Sequence, residues 1–312
     1  MVTHKGEIKL SFAALAPDGQ RKLRSEYFWD GKRIWVWDKK RFDDLRTFAL
    51  TLQLQADGFT DPKAQIQEIK RSFSVSAALP IALHAAGDLV NVGEHQILCV
   101  EDILSFDERT PGDFPFITQI VEGILKEQSS EFLHWMARAW TYTRGESLSP
   151  PKILCVVGNC NSAKGLLPRL VNMTLSGRWR PRTFNLLSDR IGPTQRSDFS
   201  DLVFLINLSS CQPNISTLKK FRKLIEVETS SKRIGEIELM LRQVIMVRCH
   251  DSQWPPLRDR IQELTPHGIV EFRASEKLSI RNDEERMRTP EVIDRIQNEI
   301  RQFRSYLSRS TT

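Results

Sequence analysis

Apolar and polar positions change rhythm along this chain, and the changes predict its elements. Residues 7–12 and 33–37 alternate, which predicts strands. Asp30-Gly31 stands between aromatic-rich flanks and predicts a hairpin turn. Residues 41–56 and 62–72 have helical spacing, and residues 89–100 read as two short strands around Gly93-Glu94. Residues 113–143 read as helices carrying Phe132, Trp135 and Trp140. Gly145 to Pro151, with Ser147, Ser149 and the Pro150-Pro151 pair, predicts a linker. An alternating pattern follows it. A strand at 152–157 leads to a loop and a helix from about residue 164. A second strand, 201–207, precedes a helix at 215–227, and a third strand spans 244–248. Thr289-Pro290 opens a last helix over 289–308, a cap followed by proline in the first turn. Strands alternating with helices imply a parallel sheet. The expected architecture is α/β, with a parallel sheet and flanking helices over 146–312 and a smaller α+β region over 1–145.

At 312 residues the chain has room for two domains. Its 40% apolar and 27% charged residues are the proportions of an ordinary globular protein. A formal net charge of +6 favours polyanionic partners. Cys99, Cys155, Cys160, Cys211 and Cys249 are scattered, odd in number and never in C-x-x-C. The six histidines show no metal-ligand spacing. Both patterns point away from a disulfide framework and a metal centre, and towards a reducing compartment. No apolar run reaches 18 residues and no apolar signal core opens the chain. A soluble, cytoplasmic protein with no membrane contact is expected.

The chemistry concentrates after the strand at 152–157. There the chain reads Gly158-Asn159-Cys160-Asn161-Ser162-Ala163-Lys164-Gly165. A phosphate loop reads G-x-x-x-x-G-K-S/T; its backbone N–H groups wrap phosphates and its Lys reaches the β/γ oxygens. Gly158 and Lys164 keep the spacing. Ala163 replaces the second glycine, and Gly165 removes the hydroxyl that ligates Mg²⁺. The added methyl is tolerated where φ is negative and fatal where it is positive. ATP and Mg²⁺ are therefore doubtful cofactors, and ATP hydrolysis is expected to be impaired or absent.

The arrangement Gly-x-x-Asn161-x-Ala-Lys resembles the superfamily 3 helicases, ring ATPases of viruses, plasmids and satellite elements. Residues 131–151 and the strand pair at 89–100 look like the segments ahead of the loop in pox-virus- and phage-type primase-helicases. The resemblance runs over roughly residues 85–305 and implies an AAA+-like P-loop domain acting in DNA replication. It places Gly158, Asn161, Ser162, Ala163, Lys164 and Gly165 around nucleotide. It also implies an acidic end to the second strand, where this chain has Asn207-Leu208. Asn207 can orient a water but cannot be a base, and general-base help is worth roughly 10²–10⁴ in rate. The resemblance makes His250 the positional match for a γ-phosphate sensor. It makes Arg258 or Arg260 the arginine offered to a neighbour's nucleotide, which implies a closed, hexameric ring. A surface Arg-Asp-Arg cluster is the other reading of that pair.

Two basic stretches bear on nucleic acid. Lys219-Lys220 lies on the helix at 215–227, and Lys232-Arg233 precedes the third strand. In the resembled family this region grips a DNA backbone, so salt-sensitive, sequence-independent binding, mostly to single strands, is implied. A solvated basic helix face is the alternative. Arg178, Arg180 and Arg182 interleave with Trp179, and aromatics crowd residues 27–37. The latter fit a small sheet packed on helices better than a base-stacking platform. The expectation is a DNA-binding replication protein of a virus or mobile element, with a possible replication partner. Its rival is a non-enzymatic scaffold, or a regulator of an active homologue.

Overall fold

A computed structural model of the chain describes residues 26–38, 41–81, 83–101, 111–159, 162–192, 196–208, 214–234, 236–239, 242–265, 267–274 and 290–310. The expected strand at 7–12 lies outside them. The chain divides into two compact units, residues 1–105 with 233–238, and residues 106–232 with 239–312. The linker at 145–151 suggested a boundary at 145/146; the helices just before it stand with the second unit.

The first unit holds two small sheets. One is antiparallel, β1 (Tyr27–Trp29), β2 (Ile34–Trp37) and β3 (Phe42–Leu45). Its turn is built by Asp30, whose carboxylate accepts from Lys32 N, Arg33 N and Trp35 Nε1 while Gly31 takes φ +82°. Helices α1 (Thr47–Ala56) and α2 (Pro62–Ser72) follow. The helix expected over 41–56 thus gives up its first turn to β3, which pairs with β2. The second sheet has the order β4 (Ala77–Leu79), β6 (His95–Cys99), β5 (Leu89–Val92). Period-2 alternation sorts the aromatic stretch onto two faces. Tyr27, Ile34 and Val36 pack with Leu50, Leu54, Ile66 and Ile69 of the helices. Phe28, Trp35 and Phe42 pack with Ala78 and Leu98 of the second sheet. These aromatics are core, so they offer no platform for bases.

In the second unit α3 (Pro115–Leu125) and α4 (Ser129–Thr143) precede a five-stranded parallel sheet. Its strands are β7 (Ile153–Val157), β8 (Arg182–Asn185), β9 (Val203–Asn207), β12 (Val244–Cys249) and β13 (Ile269–Arg273), in the order β13-β7-β12-β9-β8. Between β9 and β12 the chain makes α6 (Ile215–Thr229) and a short hairpin, β10 (Lys232–Ile234) and β11 (Ile237–Leu239). Helix α5 (Leu166–Ser176) follows β7, α7 (Trp254–Leu264) follows β12, and α8 (Pro290–Arg309) closes the described chain.

Every residue of β7 is buried, as a parallel strand covered on both faces requires. Ile153, Cys155 and Val157 join Phe221, Leu224 and Ile225 of α6 and Trp254, Leu257 and Ile261 of α7 in one cluster. Helices α4, α5 and α8 pack against one another. Helix α8 also closes two helix ends. Glu299 accepts from the N–H groups of Phe116 and Ile117 at 2.9 and 3.0 Å, and Arg304 donates to the carbonyls of Met173 and Thr174 at 2.7 and 3.0 Å. Burial lowers the Arg304 pKa to about 10. The crossover from β7 to β8 leaves in one direction, and that from β12 to β13 returns across β7. The carboxyl ends of β7 and β12 therefore mark the topological switch point, where such sheets place a ligand-binding crevice.

Candidate functional site

That crevice is where the loop begins. A Cβ on Gly158 would stand 2.4 Å from Ser162 Oγ and 3.2 Å from Ala274 Cβ, so any side chain there must displace Ser162. Ser162 Oγ donates to Asn159 O at 2.8 Å. Residues 163–165 form one 3-10 turn that enters α5, and Gly165 has φ −75°. Ala163 is buried, and it is not among the residues with positive φ. Its extra methyl is therefore accommodated. Asn161 lies outside the described residues.

Lys164 is 7% exposed. Its ammonium folds back and donates to the carbonyls of Gly158 and Asn159 at 2.6 and 2.5 Å. Those two bonds draw the ends of the loop together around the cation.

Strand register shows what surrounds the loop. Arg248 of β12 pairs with Val156 of β7 on one side and Asn207 of β9 on the other. Arg248 Nε donates to Asn207 Oδ1 at 3.3 Å, and Asn207 Nδ2 donates to Asn185 Oδ1 at 2.8 Å. A Cβ on Gly165 would stand 3.6 Å from Arg248 Nη1. Leu208, where the resemblance implied an acid, is buried in the cluster shared by α6 and α7. In P-loop proteins Mg²⁺ is held by the hydroxyl after the loop lysine and an acid ending a neighbouring strand. Here those positions hold a glycine, an amide and a buried leucine, with a guanidinium beside them. The residues present do not fit Mg²⁺. Among the described residues no group of three or more His, Cys, Asp or Glu could hold a metal elsewhere.

His250 lies two residues past the register position facing Asn207. Its Nδ1 is 2.9 Å from Ser252 Oγ and accepts from Ser252 N at 3.3 Å. Arg248 stands beside the end of β9. Its signal in the sequence was a single charge at the carboxyl end of an otherwise apolar strand. On α7, Arg258 pairs with Glu271 at 3.3 Å, and Glu271 also binds Arg273 at 2.8 Å. Arg260 is exposed.

The basic residues expected to meet DNA separate into two kinds. Lys219 is exposed on α6. Arg233 is exposed and pairs with Glu238 across the β10–β11 hairpin at 2.9 Å. Lys220 reaches back to Leu186 O at 2.5 Å. Lys232 is turned inward: its ammonium binds Glu228 at 3.0 Å with both side chains 3% exposed, and donates to Val227 O. A lysine sealed in this way presents no charge to a phosphate, which corrects the role the sequence suggested for it. Arg182 joins the same cluster, 3.2 Å from both Asp198 and Glu228. Arg178 binds Ser200 and Asp201. Asp201, at the start of the strand expected over 201–207, is a largely buried partner of Arg178, and burial raises its pKa.

Strand order, loop position and flanking helices together define an α/β fold, a five-stranded parallel sheet with the candidate phosphate loop at the carboxyl end of β7. No protein-family model matches the chain, and no curated protein matches its sequence. Solved structures do match in fold. The apo structure of the NrS-1 C-terminal region aligns with a TM-score of 0.57 at 12% identity, over 90% of this chain and 65% of that one. An A-form apo structure of the same region gives 0.56 and 13%. At such identity the likeness is one of fold alone, and this chain spans 65% of the region's length. Among the described residues no helix is long and apolar enough to cross a membrane.

Proposed function

We propose that this chain is a DNA-binding replication protein of a virus or mobile element, built on a helicase-like ring ATPase fold of superfamily 3 type with hydrolysis impaired or lost. One observation carries the reading. The loop, its lysine and its crevice are retained, while positions 165, 207 and 208 hold a glycine, an amide and a buried leucine. Phosphate can still meet Lys164 and the start of α5, but Asn207 and the buried Leu208 at the end of β9 supply no base to activate a water. Lys219, exposed on α6 of the second unit, and the net charge of +6 support contact with a DNA backbone, and Arg233, which belongs to the first unit, is exposed as well. Such contact reads no sequence and favours single strands in this fold.

Fluorescence anisotropy with single-stranded oligonucleotides across salt concentrations tests the binding. Each phosphate contact contributes about 0.7 to the slope of log affinity against log salt on single strands. Neutralising Lys219 and Arg233 together should flatten the slope by about 1.4 and weaken all sequences alike. An unchanged slope would remove both residues from the interface. For catalysis, ATP turnover should fall far below the usual roughly 1–10³ s⁻¹. Turnover in that range, abolished by Lys164→Ala, would overturn the reading. The buried Leu208 favours a second reading, in which the chain is a non-enzymatic scaffold or regulator that works beside an active helicase.

A further inference from the structure

Arg248 stands where a P-loop protein keeps its metal. The two Mg²⁺-holding positions of the fold are represented by Gly165 and Asn207. The Arg248 guanidinium lies against both, with Nη1 3.6 Å from the Cβ position of Gly165 and Nε 3.3 Å from Asn207 Oδ1. The three departures from the intact pattern fit one another. With no side chain at 165, the guanidinium lies within van der Waals reach of that position. Replacing the acid by an amide leaves an oxygen that accepts from Arg248 without adding a charge. A strand that is otherwise apolar, Val244-Ile245-Met246-Val247, delivers the arginine at its carboxyl end.

We propose that Arg248 replaces the divalent metal, so that this loop takes ATP as the metal-free tetraanion, held between the Lys164 ammonium and the Arg248 guanidinium. A guanidinium is permanently charged and presents a planar fork that matches phosphate oxygens. It brings one positive charge to the phosphate chain, beside that of Lys164, but it does not replace the metal that bridges the β- and γ-oxygens or the acid that orients a water, so binding proceeds without what hydrolysis needs. Lys164 exchanges the carbonyls of Gly158 and Asn159 for phosphate oxygens when the ligand enters. The inference rests on reading residues 158–165 as a phosphate loop and is independent of DNA binding.

Isothermal titration of the whole chain with ATP, once in EDTA and once in excess Mg²⁺, tests it. Binding in EDTA should be as tight as in Mg²⁺, or tighter. Arg248→Gln should weaken binding in EDTA by about 10- to 100-fold, the scale of a hydrogen bond to a charged group. Arg248→Lys, which keeps the charge and loses the fork, should fall between. Melting curves establish that each variant is folded. Binding that requires Mg²⁺, unchanged affinity in folded Arg248→Gln, or no ATP binding by the wild-type chain in either buffer would each overturn the proposal. Salt-dependent DNA binding, measured on the same preparations, reports separately on the DNA reading. Its loss with metal-free ATP binding intact would sink that reading and leave this one standing.

Discussion

Among the described residues two lysines are buried, Lys164 and Lys232, and each is buried for a different reason. Lys164 closes its own loop through two carbonyls, a contact that a phosphate can replace. Lys232 is held by a carboxylate, Glu228, as buried as itself. Removing one partner of a sealed ion pair leaves an uncompensated charge and costs about 3–5 kcal/mol. Arg182 lies 3.2 Å from the same carboxylate and covers part of the loss. Lys232→Ala should therefore destabilise by about 3 kcal/mol in urea unfolding, while the folded variant binds single-stranded DNA as the wild type does. Weakened DNA binding with unchanged stability would return Lys232 to the surface. Gly158 poses a steric question at the same scale. In Gly158→Ala the new methyl meets Ser162 Oγ at 2.4 Å, and overpacking of this kind costs about 1–3 kcal/mol. Ser162→Ala removes that oxygen, so the Gly158 substitution should cost less in its background. A double-mutant cycle reads the coupling, and strict additivity would mean that the loop shifts away instead.

Helices α3 and α8 are joined by a cap rather than by packing alone. Helix α3 begins at Phe114-Pro115 with no capping side chain of its own. Glu299, 183 residues beyond Phe116, supplies the acceptor and places a negative charge at the positive end of the helix. Glu299→Ala should cost about 1–2 kcal/mol, seen as a lower urea midpoint with an unchanged m-value. No loss of stability would show that water satisfies those N–H groups equally well. This cap was illegible in the sequence, because a glutamate in α8 announces nothing about a helix start so far away. The strands divide in the same way. β7, β9 and β12 were legible because both faces are buried, and such strands read as continuous apolar runs. β8 has one buried residue in four, Phe184, and its run of Arg-Thr-Phe-Asn carries no period. β3 reads Phe-Asp-Asp-Leu, where Phe42 and Leu45 are three apart and mimic a helix turn that leads into α1. The loop was legible because its pattern is local. Arg248 was not, since its meaning depends on which residue of β9 it faces, and register is set by the whole sheet.

For the whole molecule the open question is assembly. A ring ATPase sets an arginine of one subunit against the nucleotide of the next, through a heterologous interface that closes. Arg258 is tied within its own chain to Glu271, which leaves Arg260, exposed two residues further along α7, as the side chain available to a neighbour. If the ring outlived its chemistry, the protein should self-associate, as a hexamer and most strongly on single-stranded DNA. The phosphate backbone would then gather basic subunits that otherwise repel one another at a net charge of +6 each. Raising salt should dissolve the assembly on DNA, because it weakens the backbone contacts first. Arg260→Ala should reduce assembly without lowering the stability of the monomer, since Arg260 is exposed and, unlike Arg258, makes no ion pair among the described residues. Mass photometry with and without single-stranded DNA distinguishes the outcomes. A strict monomer under both conditions would leave the fold without its ring and favour a solitary scaffold or regulator. A hexamer unaffected by Arg260→Ala would keep the ring and assign its interface to other residues.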